Sequence, residues 1–183
     1  MKTAKDYTNY LNPGQTTVGS SDFPLYYLKK KIQSACPATF SKLDYFSFSG
    51  GLHIEQTSYN VHGDLIKGTS LVDIVKQSEL SVIGLQTAVA DVNDIKKARY
   101  IIQVLATCLY TLLQEAYIAS SSELSLVTWA KTQNEDMYKY WYGVLNHELT
   151  TLMLVRSFRE CNMGLMMGCC EKLVELCFFC GPA

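Results

Sequence analysis

The stretch from Ile95 to Ala119 limits what this chain can fold into more than any other. Ile95, Ala98, Ile102, Leu105, Leu109, Leu112 and Ala116 recur at alternating steps of three and four, the spacing of one buried helix face. Ile101, Val104, Cys108 and Leu113 widen that face, and Gln103, Thr107, Thr111 and Gln114 are left as a polar strip without charge. A helix apolar over most of its circumference belongs in the middle of a bundle. A bilayer span asks for roughly 20 predominantly apolar residues. Here Arg99 and Glu115 bracket a shorter run that Gln and Thr interrupt, so a core helix is expected and a membrane is not.

The flanking segments supply companions for it. Asp22 offers an N-cap, Pro24 suits a first turn, and Leu25, Leu28, Ile32 and Ala35 continue at helical spacing until Pro37. Ser70 with Asp73 resembles a capping box for a helix to about Gln77, and Ser120 with Glu123 resembles another for a short helix to about Thr132. Asn134, Glu135 and Asp136 open a long helix to about Glu160, with acids at its positive end and Arg156 and Arg159 at its negative end. Met163 to Phe179 repeats Met163, Met166, Cys170, Leu173 and Cys177 as a last helical stripe. Leu80 to Val89 fits a short strand or the first turns of a helix equally well.

Residues 40–61 read differently. Phe40 to Ser49 and Leu52 to Val61 are rich in aromatic and β-branched residues, and Gly50-Gly51 between them is a two-residue turn signal. The expected fold is therefore α+β: a predominantly helical bundle around a central buried helix, with a small antiparallel β-hairpin or sheet. Residues 1–21, polar and broken by Pro13-Gly14, are expected to be a flexible N-terminal arm ahead of a single helical domain over 22–183.

Composition narrows the functions. The formal net charge of −1 gives no electrostatic footprint for nucleic acid, so no nucleic-acid partner is expected, and Lys29, Lys30 and Lys31 read as a solvated helix face. Met1 to Asn12 lacks the apolar core of a secretory signal, so a cytoplasmic protein is expected, with its seven cysteines reduced. Cys169, Cys170, Cys177 and Cys180 are the candidate metal ligands, with zinc as the metal, but they contain only one CxxC pair and the rest lie along a helix. Their simpler reading is buried thiols in a Cys- and Met-rich core. Cys177 and Cys180, at a helix end where the dipole raises a thiol pKa, are poorly placed for redox exchange.

No catalytic set is complete. His147-Glu148 begins like a zincin helix, yet Thr151 stands where the second histidine would have to be. His53 and His62 read as surface or structural groups, and no Gly-x-Ser-x-Gly or phosphate-binding glycine loop occurs. Charged residues make up only 18% of the chain, and Tyr138, Tyr140, Trp141 and Tyr142 surround one helix. Interfaces are depleted of charge and enriched in such rings. The function expected is thus a non-catalytic interaction or assembly subunit, binding a protein partner or itself. Its candidate interface comprises Gln103, Thr107, Thr111, Gln114, Tyr138, Tyr140, Trp141 and Tyr142. The alternatives are a cysteine-cluster metal or redox protein and a helical pocket for a small apolar ligand or cofactor.

Overall fold

The computed structural model describes residues 1–77 and 94–179; the ambiguous segment Leu80–Val89 and the candidate ligand Cys180 lie outside them. The chain divides into two compact units, Met1–Ile54 and Glu55–Ala183. The first holds helix α1 (Lys2–Leu11), strand β1 (Thr17–Ser21), helix α2 (Phe23–Ala35) and strand β2 (Tyr45–Ser49). Helix α3 (Gly51–Ile66) carries the chain into the second unit, which continues with α4 (Ser70–Gln77), α5 (Ile95–Ser120), α6 (Leu126–Thr132), α7 (Asp136–Arg159) and α8 (Met163–Phe179). The fold is the expected α+β type, mostly helical with a small sheet.

The sheet itself corrects the sequence reading. β1 and β2 pair in parallel, Thr17 opposite Tyr45 through Ser21 opposite Ser49, with α2 as the crossover that a parallel pair requires. Leu52–Val61, expected as the second strand of an antiparallel hairpin, is helical. The Gly50 carbonyl accepts from His53 and Ile54, so the glycine pair opens a helix instead of turning a hairpin. Glu55, Ser58, Tyr59, His62 and Ile66 form the buried face of that helix, at helical spacing. Because three of those five are polar, the hydrophobic pattern that reveals a helix was absent.

In the first unit, Asp22 caps α2 as expected by accepting from the Leu25 amide at 3.2 Å. Gln33, buried on α2, donates to the Tyr45 carbonyl at 2.6 Å and ties helix to strand. Gly19 sits where a Cβ would come within 2.5 Å of the Tyr45 hydroxyl, so the strand needs glycine for close approach.

In the second unit, α5 is capped by Asp94, whose carboxylate accepts from the Lys96 and Lys97 amides, and ends at Ser121 in the left-handed conformation. Its apolar face is buried over the first turns, at Ala98, Ile101, Ile102, Leu105 and Ala106. Ile101 and Leu105 pack with Val75 and Leu71 of α4, while Ala98 and Ile102 pack with Tyr59 and Leu152. Beyond Ala106 the same helix is largely open, with Leu112 60% and Ile118 73% exposed. By length and composition alone α5 could cross a bilayer, but its first half is packed into the core. Helix α6 takes its cap from Ser125, not from the Ser120–Glu123 pair. Helix α7 packs on α5 and on α8; Val144, Leu145, Leu154 and Val155 are buried on α7, and Met166, Cys169 and Leu173 on α8.

Candidate functional site

Two features of the second unit stand out chemically. The first is polar and fully enclosed. The buried face of α3 brings His62 against His147 and Glu148 of α7, three side chains that are 3%, 1% and 0% exposed as residues. The two imidazoles stack with centroids 5.9 Å apart and planes 12° from parallel. His62 Nε2 lies 3.5 Å from Glu148 Oε1. None of the ring nitrogens or carboxylate oxygens has a hydrogen-bond partner.

Burial decides their charge. It lowers the His62 pKa to about 3, helped by the neighbouring His147, and lowers that of His147 to about 4. It raises the Glu148 pKa to about 8. All three are therefore neutral near pH 7, and the 3.5 Å approach of His62 to Glu148 is a neutral contact rather than an ion pair.

The polar surroundings are otherwise satisfied. Thr151 Oγ1 donates to the His147 carbonyl at 2.8 Å, so the 2.6 Å bond between Ser58 and Thr151 has Ser58 as donor. One turn earlier on α3, Glu55 is 3% exposed and accepts a forked pair from Arg99, at 2.7 and 3.0 Å from Nη2, with a further bond from Nε. Tyr59 also donates to Glu55, and burial together with that carboxylate raises its pKa. This set is a largely buried polar seam joining α3, α5 and α7.

The second feature is apolar and open. A groove of about 460 Å³ runs between α4, α5 and α7. Leu109, Leu112, Leu113 and Ala116 of α5 line one wall, and Tyr138, Trp141, Tyr142 and Leu145 of α7 line another. Both sets have the spacing i, i+3, i+4, i+7, so each wall is a two-turn helix stripe roughly 10 Å long. Leu71 and Ile74 of α4 line it as well, and Ser70, Glu135 and Met137 complete it. The rings are pre-positioned: Tyr138 stacks on Tyr142 at 5.9 Å and meets Trp129 edge-on at 6.1 Å. The Tyr138 hydroxyl is buried without a hydrogen-bond partner, and burial raises its pKa.

The residues singled out from sequence are thereby divided. Tyr138, Trp141 and Tyr142 converge on the groove. Tyr140 packs edge-on against Trp141 at 5.0 Å and donates to the Leu65 carbonyl, away from the groove lining. Gln103, Thr107, Thr111 and Gln114 are exposed along α5 and do not line it; Thr107 and Thr111 donate to the carbonyls four residues back, Gln103 and Thr107.

Cys169 is buried and Cys170 half-buried, and burial pushes both thiols up. Cys177 belongs to α8, but its side chain, like Cys180, lies outside the described residues. Among the described residues no three His, Cys, Asp or Glu are placed to hold a metal ion. Sequence reasoning left His62, His147 and Glu148 apart, because nothing local links positions 62 and 147. Comparison with family models, curated proteins and solved structures finds no match to this chain.

Proposed function

We propose that the chain is a non-catalytic interaction subunit that takes the apolar face of a partner protein's helix into the groove between α4, α5 and α7. The observation that carries this reading is the pair of facing stripes, 109-112-113-116 and 138-141-142-145, open along two helical turns. A helix presenting apolar anchors at the same spacing is the shape that complements them. The rings supply large contact area with few rotors to immobilise, which is why Tyr and Trp concentrate binding energy. Glu135 at the groove favours a partner with a lysine or arginine beside its apolar anchors.

The test uses the intact chain. Leu112 is 60% exposed, so Leu112→Asp should leave the fold intact while placing a charge in the groove. A partner held by the wild type and by Leu43→Asp, a change at an 85% exposed leucine of the first unit, should be lost from Leu112→Asp. Retention by Leu112→Asp would refute the reading. Sedimentation of the wild type alone distinguishes a second copy from a different partner.

A second reading rests on the volume. About 460 Å³ lies within the range of small-molecule sites, and three aromatic rings with one carboxylate would suit an apolar ligand carrying a single polar group. Native mass spectrometry of freshly purified protein would show that ligand as added mass, absent from Leu112→Asp.

A further inference from the structure

The net charge of −1 averages over two units of opposite sign. Residues 1–54 contain six lysines, three aspartates and no arginine or glutamate, a formal +3, which leaves −4 for residues 55–183. Within the first unit the acids are largely committed. Asp44 pairs with Lys5 at 3.2 Å and accepts from Ser41, and Asp22 caps α2. Lys29, Lys30 and Lys31 have no carboxylate partner among the described residues.

Two of these lysines lie against rings instead. Lys30 Nζ sits 5.4 Å from the centre of Tyr26 and 6.0 Å from that of Phe46, and Lys31 Nζ sits 4.8 Å from Tyr27. Phe46 packs beside Phe48 at 6.3 Å, two residues along the same strand. Tyr27 is 56% and Phe46 43% exposed. An ammonium resting on a ring keeps its N–H donors for an anion, and the ring edge it leaves open keeps an apolar surface. Tyr26 with Lys30 and Tyr27 with Lys31 are pairs one helical turn apart, and Phe46 of β2 brings a further ring to Lys30.

We propose that the face of the first unit formed by Tyr26, Tyr27, Lys30 and Lys31 of α2 with Phe46 of β2 binds single-stranded nucleic acid. The lysines meet backbone phosphates and the rings meet unstacked bases, the two contacts on which sequence-tolerant single-strand binding rests. A duplex, whose base faces are stacked inside, offers only the phosphates. The proposal is independent of the groove, which lies wholly in the second unit.

Fluorescence anisotropy of a labelled oligothymidylate of roughly 12 nucleotides with the full chain tests this. Binding should weaken about sevenfold between about 50 and about 200 mM salt, the dependence expected when Lys30 and Lys31 neutralise two phosphates of a single strand. Lys30→Ala should weaken binding at least threefold and flatten that dependence. Phe46→Ala should weaken it at least fivefold with the dependence unchanged, because stacking releases no counterions. Lys67→Ala, in the second unit, should behave as wild type. No binding at the lower salt, equal affinity for a blunt duplex, or wild-type affinity in Phe46→Ala would each overturn the proposal. So would binding to phosphatidylserine vesicles without binding to the oligonucleotide, which would make the face a lipid-binding surface.

Discussion

Replacing Glu148 by Gln gives the sharpest test of the buried seam, because it removes one titrating group from a site where proton counting is simple. Unfolded, the carboxyl titrates near 4.5 and each imidazole near 6.5; folded, Glu148 holds its proton to about 8, while His62 and His147 stay unprotonated down to about 3 and about 4. Between pH 6.5 and 8 the folded chain therefore carries one proton that the unfolded chain has lost, and stability falls as pH rises. Because the unfolded imidazoles are still half protonated at pH 6.5 and Glu148 is half ionised at pH 8, the net loss over that interval is about 1 kcal/mol.

Between pH 6.5 and 4.5 the unfolded chain gains two imidazole protons against the one carboxyl proton retained by the fold. Stability then falls as pH drops, by about 2 kcal/mol over that interval. The contribution of these three groups thus peaks near pH 6.5. The count is the same whether the retained proton sits on Glu148 or on His62, so it survives any sharing across the 3.5 Å gap. Glu148→Gln should abolish the alkaline loss and roughly double the acid slope, since both histidines then act unopposed. Urea unfolding followed by the fluorescence of Trp129 and Trp141, at pH 5, 6.5 and 8, measures it. A wild type whose stability is flat or rising from pH 6.5 to 8, or a Glu148→Gln profile that parallels it, would refute the reasoning.

Other substitutions probe separate contacts. Arg99→Ala would leave the buried Glu55 without its forked partner and should cost about 3 kcal/mol of unfolding free energy in urea, whereas Arg99→Ala combined with Glu55→Gln should recover part of that loss. Leu154→Ala, at a fully buried position on α7, should cost about 2 to 5 kcal/mol in the same measurement. Gly19→Ala drives a methyl toward the Tyr45 hydroxyl and should destabilise the first unit by about 1 to 3 kcal/mol, seen as faster amide exchange over β1 and β2; Tyr45→Phe in that background should restore part of the protection.

The bounds of several helices were legible from the chain, although their buried faces were less so: α2 buries Gln33 while Leu25 and Leu28 stay exposed, and α7 buries His147, Glu148, Thr150, Thr151 and Ser157 beside its apolar residues. α2 begins behind Asp22 and α4 at Ser70, and α7 and α8 match their sequence boundaries to within two residues. Helix α3 was not, since its inward positions are Glu55, Ser58 and His62, and alternation of Leu52 with Ile54 imitates a strand. β1 escaped notice because Thr-Val-Gly-Ser-Ser has little strand character of its own, and its partner lies across a whole helix. The groove was half legible: the Tyr and Trp cluster named one wall, but only the packing of α5 shows that Leu109 to Ala116 forms the other. The His62–His147–Glu148 contact depends on the pairing of α3 with α7, and no local spacing encodes that.

The threonines on the outer side of α5 carry a further consequence. Thr107 and Thr111 each spend their hydroxyl proton on a carbonyl of their own helix, at 2.8 and 2.9 Å. Transfer of an uncompensated hydroxyl out of water costs a few kcal/mol, but a hydroxyl already bonded internally loses little when water leaves. The strip that looks polar in the sequence is thus cheap to dehydrate at two of its four positions, and its methyl groups can meet another surface without an unpaired donor being trapped beneath it. Polarity read from residue names overstates the water this side of the helix requires.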